Sequence, residues 1–554
     1  MTTAVNKARD FIENEQAFRL GVLPTEQSHP VTTHLSRVIA EDLRAGVRQL
    51  LTVDRDILPV AERVFAGQEY AALVNAFESA LRQGRKIIFT GCGATGRLSI
   101  LLEAAWRAFW RDNPQACASV GARCPDIEER VRSVMAGGDF ALIRSVEGFE
   151  DYPVFGKYQL IEAGVAAGDV VVAITEGGET PFVIGTAWQG LDSGATVFFV
   201  FNNPADLLCQ HVERSREVVE DERITKLDLS SGPMAIAGST RMQATTAELL
   251  VVGAALETAL DRLIDDGGGL GLQSDRASQF GTLLDGLSTD EGIDALCDWV
   301  QVEAETYAAG GRVTYAADDM LLDVMTDTTE RSPTFSLPPF RPQGDDTAAV
   351  SWAFLKDPGR STPEAWRHML GRDPVGLTWE SDLYRDLGAP EGLVSAPPAL
   401  GPDAVLRFRI GKEHDASRTD ARPAVLVRLR SQGRTAPVAL PDEDAYDRVV
   451  DIAIPFDRPV ETSPLRLWEH LAVKLVMNTV STATMAQLGY VAGNWMVHVS
   501  ASNKKLIDRS IRLIASQTGM SYDHACHELF VTLESPTGAS PVAETIERLL
   551  NPAA

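Results

Sequence analysis

Three glycines in the stretch Gly91-Cys92-Gly93-Ala94-Thr95-Gly96 could cradle a phosphate. They lie between a short apolar run, Ile87-Ile88-Phe89, and the helix-like segment LSILLEAAWRAFW. A buried strand that feeds a glycine turn and a helix start lets backbone N–H groups approach an anion closely. The helix N-terminus adds partial positive charge. The spacing of Gly91, Gly93 and Gly96 meets the G-x-G-x-x-G pattern, but the loop is neither common nucleotide signature. A P-loop needs Lys and then Ser or Thr after its last glycine, and here Gly96 is followed by Arg97-Leu98. A dinucleotide loop needs an acidic residue closing a second strand about 20 residues on, and neither Asp112 nor Asp126 ends a convincing strand. The loop by itself therefore reads as an anion site or as a plain strand-to-helix turn.

Four other segments carry chemistry-bearing residues. In AITEGGETPFVIG (173–185) a strand ends at Gly177-Gly178 and Thr180-Pro181 opens a helix, a second anion-compatible turn. In a doubly wound sheet two such turns can converge beyond the strand ends. In SGPMAIAGSTRMQATTAELL (231–250), the hydroxyls of Ser239 and Thr240 precede a helix and can either cap it or reach an anion. Glu147, Glu150 and Asp151 cluster within RSVEGFEDYPVFG (144–156). Such a cluster is ordinarily a solvated face, yet a buried member would have a raised pKa suited to acid/base work. In VSASNKKLIDRSIRLIASQTG (499–519), Ser502 reads as an N-cap, which puts Lys504 and Lys505 in the first helical turn and Arg509 one turn on. Cations oppose the helix dipole there, so they extend into solvent or meet an anion.

The whole chain sets bounds on these readings. Its 554 residues predict two or more domains. A net charge of −26 argues against nucleic acid or an anionic membrane surface as the main partner. The six cysteines form no C-x-x-C pair, and His524, Cys526 and His527 fit a solvated helix face better than a metal site. The first residues, MTTAVNKARDFIENEQ, have no apolar signal core. The longest apolar segment, 249–260, is interrupted by Glu257 and too short for a bilayer. A cytoplasmic chain in a reducing compartment is the expectation.

Residues 35–83 read as helices, with Leu35, Ile39, Leu43, Val47 and Leu50 at helical spacing. From 84 to about 260, the strands IIFT (87–90), DVVVAIT (169–175) and TVFFVF (196–201) alternate with helices, which indicates a parallel sheet covered on both faces. The glycine-rich DDGGGLGLQS (265–274) reads as a boundary. A second alternating region is predicted to hold strands VTYAA (313–317), AVSWAFL (349–355), VGLTW (375–379), VLRFRI (405–410), AVLVRLR (424–430) and VVDIAI (449–454). In it, STPEAWRHMLG reads as a helix with Thr362 as N-cap, Pro363 first and Gly371 as stop. The tract 389–402 reads as a loop and the tail from 503 as short helices. The two regions look like a diverged repeat, because Gly84-Arg85 precedes IIFT and Gly311-Arg312 precedes VTYAA. The second copy has Ala317-Asp318-Asp319 where the first has its glycine loop, so it should not bind phosphate there.

Taken together, these segments resemble the N-acetylmuramic acid 6-phosphate etherases and the related glucokinase regulatory proteins, members of the sugar isomerase (SIS) superfamily. The resemblance rests on PTEQSHPVTTHLS (24–36), GCGATGR (91–97), AGGDFALIRSVEGFED (136–151), ETPFVIG (179–185), GPMAIAGSTRMQATTA (232–247), DTTERSPTF (327–335) and the long segment 474–519. It implies an α/β fold: two tandem SIS domains of flavodoxin-like, doubly wound parallel sheet forming a pseudo-dimer, with a C-terminal helical subdomain. The implied divisions are an N-terminal helical segment (1–45), a first, phosphate-binding domain (46–265), a second, degenerate domain (290–495) and the helical subdomain (496–554).

The resemblance also implies a site. Gly91, Gly93, Thr95 and Gly96, then Gly178 and Thr180, then Ser239 and Thr240 would hold the sugar phosphate, with Lys505 and Arg509 from the C-terminal segment. Glu147 and Glu330 would be the catalytic carboxylates. In the first copy the position equivalent to Glu330 is Ala105, with Glu103 out of register by two, so one composite site would draw on both halves. The family's Thr-Ser-Gly is Ala94-Thr95-Gly96 here, and its Ser-Gly-Arg-Thr-Pro is Gly177-Gly178-Glu179-Thr180-Pro181, which places a carboxylate near the expected phosphate. The implied ligand is a phosphorylated sugar, N-acetylmuramic acid 6-phosphate or a hexose 6-phosphate, with no metal or organic cofactor. The implied activity is cleavage of the lactyl ether. The alternatives are a non-catalytic hexose-phosphate sensor with a sugar kinase partner, and a sugar-phosphate isomerase.

Overall fold

The computed structural model describes residues 3–121, 124, 126–146, 148–264, 270, 272, 275–430, 439–454, 463–499, 501, 504–535 and 540–551. Strands β1 (Ile87–Gly91), β2 (Val131–Met135), β3 (Val170–Ile174), β4 (Thr196–Phe201) and β5 (Ile224–Asp228) form one sheet in the order β2-β1-β3-β4-β5. All its pairs are parallel, with Ile87 beside Val131 on one side and Val170 on the other. β1 and β3 are buried at every position, as apolar runs covered on both faces must be.

A second parallel sheet contains β6 (Arg312–Ala316), β7 (Ala353–Lys356), β8 (Ala424–Arg430) and β9 (Arg448–Ala453) in the order β7-β6-β8-β9. It repeats the order of the first sheet with one strand fewer. The repeat read from the sequence is thus present as topology, and the fold is α/β with doubly wound parallel sheets.

Six helices carry or brace the candidate site residues: α1 (Gly93–Asp112), α2 (Pro181–Asp192), α3 (Gln243–Ile264), α4 (Leu321–Phe335), α5 (Leu467–Gln487) and α6 (Lys504–Thr518). One apolar core runs through both halves, joining Phe89 of β1, Leu101 of α1, Val313 of β6, Met477 of α5 and Ile514 of α6. After α6 come helices Tyr522–Glu534 and Pro541–Leu550, and Phe530 packs on Phe11 of the first helix, Thr3–Asn14, at 6.1 Å between ring centroids. No helix among the described residues is long and apolar enough to cross a membrane.

Several expectations are corrected. β2 and β5 are missing from the sequence reading. VGLTW (375–379) is not a strand: Leu377 makes a single bridge to Leu400, and Trp379 leaves the second half to stack on Phe149 at 5.8 Å. VLRFRI (405–410) is not a strand either, because Pro402 opens a short helix, Pro402–Leu406, that takes its first residues. In the tract 389–402 the loop is interrupted by a helix, Glu391–Ser395. Ser361, not Thr362, caps helix Thr362–Leu370, in a capping box with Glu364, and Gly371 ends it in the left-handed conformation. The boundary read at 265–274 falls mostly outside the described residues.

Candidate functional site

A cleft of about 480 Å³ opens beyond the carboxyl ends of β1 and β3, where ligands gather in open α/β sheets. The glycine turn after β1 forms one wall. Gly93 has φ +51°, with open space where a Cβ would stand, and it lines the cleft with Cys92 and Ala94. Gly91 and Gly96 do not line it. A Cβ on Gly91 would meet the Thr95 carbonyl carbon at 2.5 Å, and one on Gly96 would meet Met135 Cγ at 2.6 Å. These two glycines let helix α1 sit close on its own strand.

Thr95 is also absent from the lining. Its hydroxyl accepts from the Cys92 N–H (3.1 Å) and donates to the Cys92 carbonyl (2.8 Å), closing the first turn of α1. Around the second turn, Thr180 lines the cleft with its hydroxyl 3.0 Å from that of Thr175, whereas Gly178 packs toward Leu208. Ser239 and Thr240 line the cleft, and among the described residues neither hydroxyl has a protein partner. Both hydroxyls are therefore available to a group that enters the cleft.

Lys505 and Arg509 reach the cleft from α6 with their charges already matched. Lys505 donates to Glu179 at 2.7 Å. Burial alone would raise the Glu179 carboxyl, but Lys505 and Arg214 beside it hold it down at about 2. The carboxylate expected to oppose a phosphate is thus neutralised by its two cations and stands outside the lining. Arg509 donates to both oxygens of Glu26, at 3.0 and 2.7 Å.

Glu330 enters the same cleft from α4, in the second half of the chain. It is 8% exposed and ion-paired with Arg97 of α1, whose guanidinium also donates to the Ala141 carbonyl at 2.8 Å. Glu147 lies outside the described residues, as does Ser502, while its neighbours Val146, Gly148 and Glu150 line the cleft. Glu103 stays out of the cleft. It accepts from Arg107 (3.0 Å), Arg372 (2.8 Å) and the Ser133 hydroxyl, and Arg372 also binds Asp139, so this carboxylate clamps the two halves.

Sequence reading missed two residues that line or buttress the cleft. Glu176, which follows β3, lines the cleft. Burial pushes its carboxyl up to about 7, opposed by its own backbone N–H and by Lys505, with Glu330 and Glu150 adding to the rise. The signal was available, since the residue stands where a strand meets a glycine turn. Arg97 closes the segment GCGATGR, but nothing local in the sequence points to a partner 233 positions away.

The loop segment bearing Gly148 and Glu150 is held in place by an aromatic cluster. Phe149 packs on Phe155 at 5.0 Å and on Trp379 of the second half. Phosphate-compatible amides and hydroxyls from one half and a carboxylate from the other therefore share one cavity. Among the described residues no cluster of His, Cys, Asp and Glu could hold a metal ion.

The sequence has relatives among known proteins. A family model described as the glucokinase regulatory protein N-terminal SIS domain matches residues 70–189. The N-acetylmuramic acid 6-phosphate etherase of Salinibacter ruber is 32% identical over 245 residues, covering 44% of this chain and 68% of that protein. Those of Mesorhizobium japonicum and Gloeobacter violaceus are 31% and 30% identical, covering 70% and 69% of their own lengths. Among solved structures, the tagatose-6-phosphate ketose/aldose isomerase from Escherichia coli aligns with 80% of this chain and 93% of its own, at 11% identity and a TM-score of 0.38. On the sequence relationship, the chain belongs to the N-acetylmuramic acid 6-phosphate etherase family of SIS-domain proteins.

Proposed function

We propose that the chain is an etherase-type carbon–oxygen lyase acting on N-acetylmuramic acid 6-phosphate through one composite site. The observation that carries this reading is the entry of Glu330 into the cleft that also holds the Gly93-Ala94 turn and the unpartnered Ser239 and Thr240 hydroxyls. The phosphate would lie against the start of α1 and those two hydroxyls, where amides and helix charge favour an anion. Gly91 and Gly96 would shape that turn, with Thr95 closing it and Gly178 and Thr180 shaping the neighbouring one. Lys505 and Arg509 would flank the ligand as charges already balanced by Glu179 and Glu26.

The chemistry then needs two proton transfers. One carboxylate removes the proton at sugar C2, and a second group protonates the ether oxygen as the C3–O bond breaks. The electron pair left at C2 becomes the C2=C3 double bond, and lactate departs. Water then adds to the unsaturated aldehyde. Glu330 and Glu147 are proposed for these two transfers. Incubating the purified chain with N-acetylmuramic acid 6-phosphate tests the reading: release of D-lactate supports it, and its absence where a known etherase turns over sinks it.

A second reading is a non-catalytic hexose-phosphate sensor acting on a sugar kinase. Two observations favour it: the match of residues 70–189 to the regulatory-protein domain, and the presence of two repeats in one chain. Thermal stabilisation by fructose phosphates without any turnover would support this reading over the first.

A further inference from the structure

We infer that Glu176 touches the bound sugar phosphate and takes up a proton as that ligand binds. The inference rests on the sugar-phosphate reading of the cleft but not on lactyl ether cleavage. Its geometric basis is an imbalance among the charges that line the cavity. Of the cations that line it, Lys505 is committed to Glu179, Arg509 to Glu26 and Arg241 to Asp327, while Arg144 is exposed; behind the wall, Arg97 is committed to Glu330. Among the described residues, no side chain bonds to the Glu176 carboxylate. It stands at the carboxyl end of β3 and opens on the cleft.

The charged and titratable groups around it come from every packed element: Glu330 from α4, Glu150 from the segment between β2 and β3, Lys505 from α6, Glu248 from α3, and Cys92 and Arg97 at the start of α1. Three of the six are carboxyls, and burial pushes Glu176 up to about 7. A phosphate entering this cavity brings further negative charge, which favours the neutral carboxyl. A neutral carboxyl can donate a hydrogen bond to a ligand oxygen as well as accept one, whereas a carboxylate only accepts. Protonation at Glu176 thus removes a repulsion and supplies a donor in a cleft where three of the lining cations, Lys505, Arg509 and Arg241, are already paired.

The test is calorimetric titration of the intact chain with N-acetylglucosamine 6-phosphate near pH 7, in buffers of different ionisation heat, with Glu176→Gln alongside. The wild type is expected to take up a fraction of a proton, up to about one half per site, and the variant is expected to lose that uptake. Wild-type affinity should weaken above pH 7 by up to about tenfold per pH unit, and E176Q should flatten that limb. Equal proton uptake in the two proteins overturns the inference. So does failure of N-acetylglucosamine 6-phosphate, fructose 6-phosphate and inorganic phosphate all to bind. If E176Q does not fold, the wild-type profile decides, and flat affinity between pH 6 and 8 overturns the inference. Proton-linked binding without lactate release would leave Glu176 in this role and discard the etherase reading.

Discussion

Arg97 and Glu330 come from opposite halves of the chain and form an ion pair at the wall of the cleft. Arg97 is fully buried and also holds the Ala141 and Leu142 carbonyls, so one guanidinium ties α1, the segment after β2 and α4 together. The pair fixes the orientation of the carboxylate that the second half contributes. It also explains how a site assembled from two repeats keeps its geometry: the joint between the repeats is itself part of the wall.

Breaking that pair from the carboxylate side should be costly. Glu330→Gln preserves shape but leaves the Arg97 guanidinium buried without a counter-charge, for a loss of about 3–5 kcal/mol in urea unfolding. The double change Arg97→Met with Glu330→Met removes both charges while keeping volume, and it should recover most of that loss. A double variant no more stable than E330Q would show that the two residues are not coupled.

The second repeat should bind no sugar phosphate. After β6 the loop carries Asp319, and Arg466 donates to both of its oxygens at 2.8 Å. His470 pairs with Asp323 at 3.0 Å one turn further on. A carboxylate and its cations thus fill the position where the first repeat has Gly93 and Ala94. Calorimetry with N-acetylglucosamine 6-phosphate is expected to give one ligand per chain, and a stoichiometry of two would show the second loop to be open.

Two carboxylates hold helix α6 against the first half, and both make stability sensitive to acid. Glu26 is held down at about 2 because Arg509 and Arg512 outweigh the effect of its burial, and Glu179 is held at about 2 by Lys505 and Arg214. In each case the folded pKa lies below the ordinary carboxylate value, so the unfolded chain binds the proton more readily. The stabilisation is complete above about pH 5 and is lost as pH falls through 4 toward 2. Each group is expected to contribute on the order of 3 kcal/mol. Melting temperature measured from pH 6 down to pH 3 should fall steeply in the wild type and less steeply in Glu26→Gln and Glu179→Gln. Parallel curves would mean that these latches carry no such linkage.

The strands that were legible in the sequence are those whose apolar runs are continuous. IIFT, VVVAI and TVFFVF are buried on both faces, so their composition alone marks them. β2 was not legible because its sequence, Val131-Arg132-Ser133-Val134-Met135, carries polar residues at half-buried positions on a sheet edge. VGLTW has the composition of a strand, but Trp379 finds its partners in the first half, a contact no local pattern encodes. The same limit applies to the cleft. Gly93, Ser239, Thr240 and Glu330 sit in motifs that can be read locally, whereas the pairing of Lys505 with Glu179 or Arg97 with Glu330 joins residues hundreds of positions apart.

The glycines of the turn after β1 do different physical work and should differ in their tolerance of a side chain. A Cβ on Gly96 would press on Met135 Cγ, the middle of a flexible side chain, and on the Gly91 carbonyl oxygen at 3.0 Å. A Cβ on Gly91 would instead meet backbone on every near side: the Thr95 carbonyl carbon at 2.5 Å, the Gly96 nitrogen at 2.6 Å and the Thr95 oxygen at 2.7 Å. Met135 can change rotamer, whereas the first turn of α1 cannot move without losing the Thr95 closure on Cys92. Gly96→Ala should therefore cost about 1–3 kcal/mol, the range for overpacking, and Gly91→Ala should cost more. Urea unfolding of the two variants measures the difference. G91A should also lose binding of N-acetylglucosamine 6-phosphate more severely than G96A, since displacing α1 displaces the amides of Gly93 and Ala94. Equal stability of G91A and wild type would show that the close approach of helix to strand is not what fixes this turn.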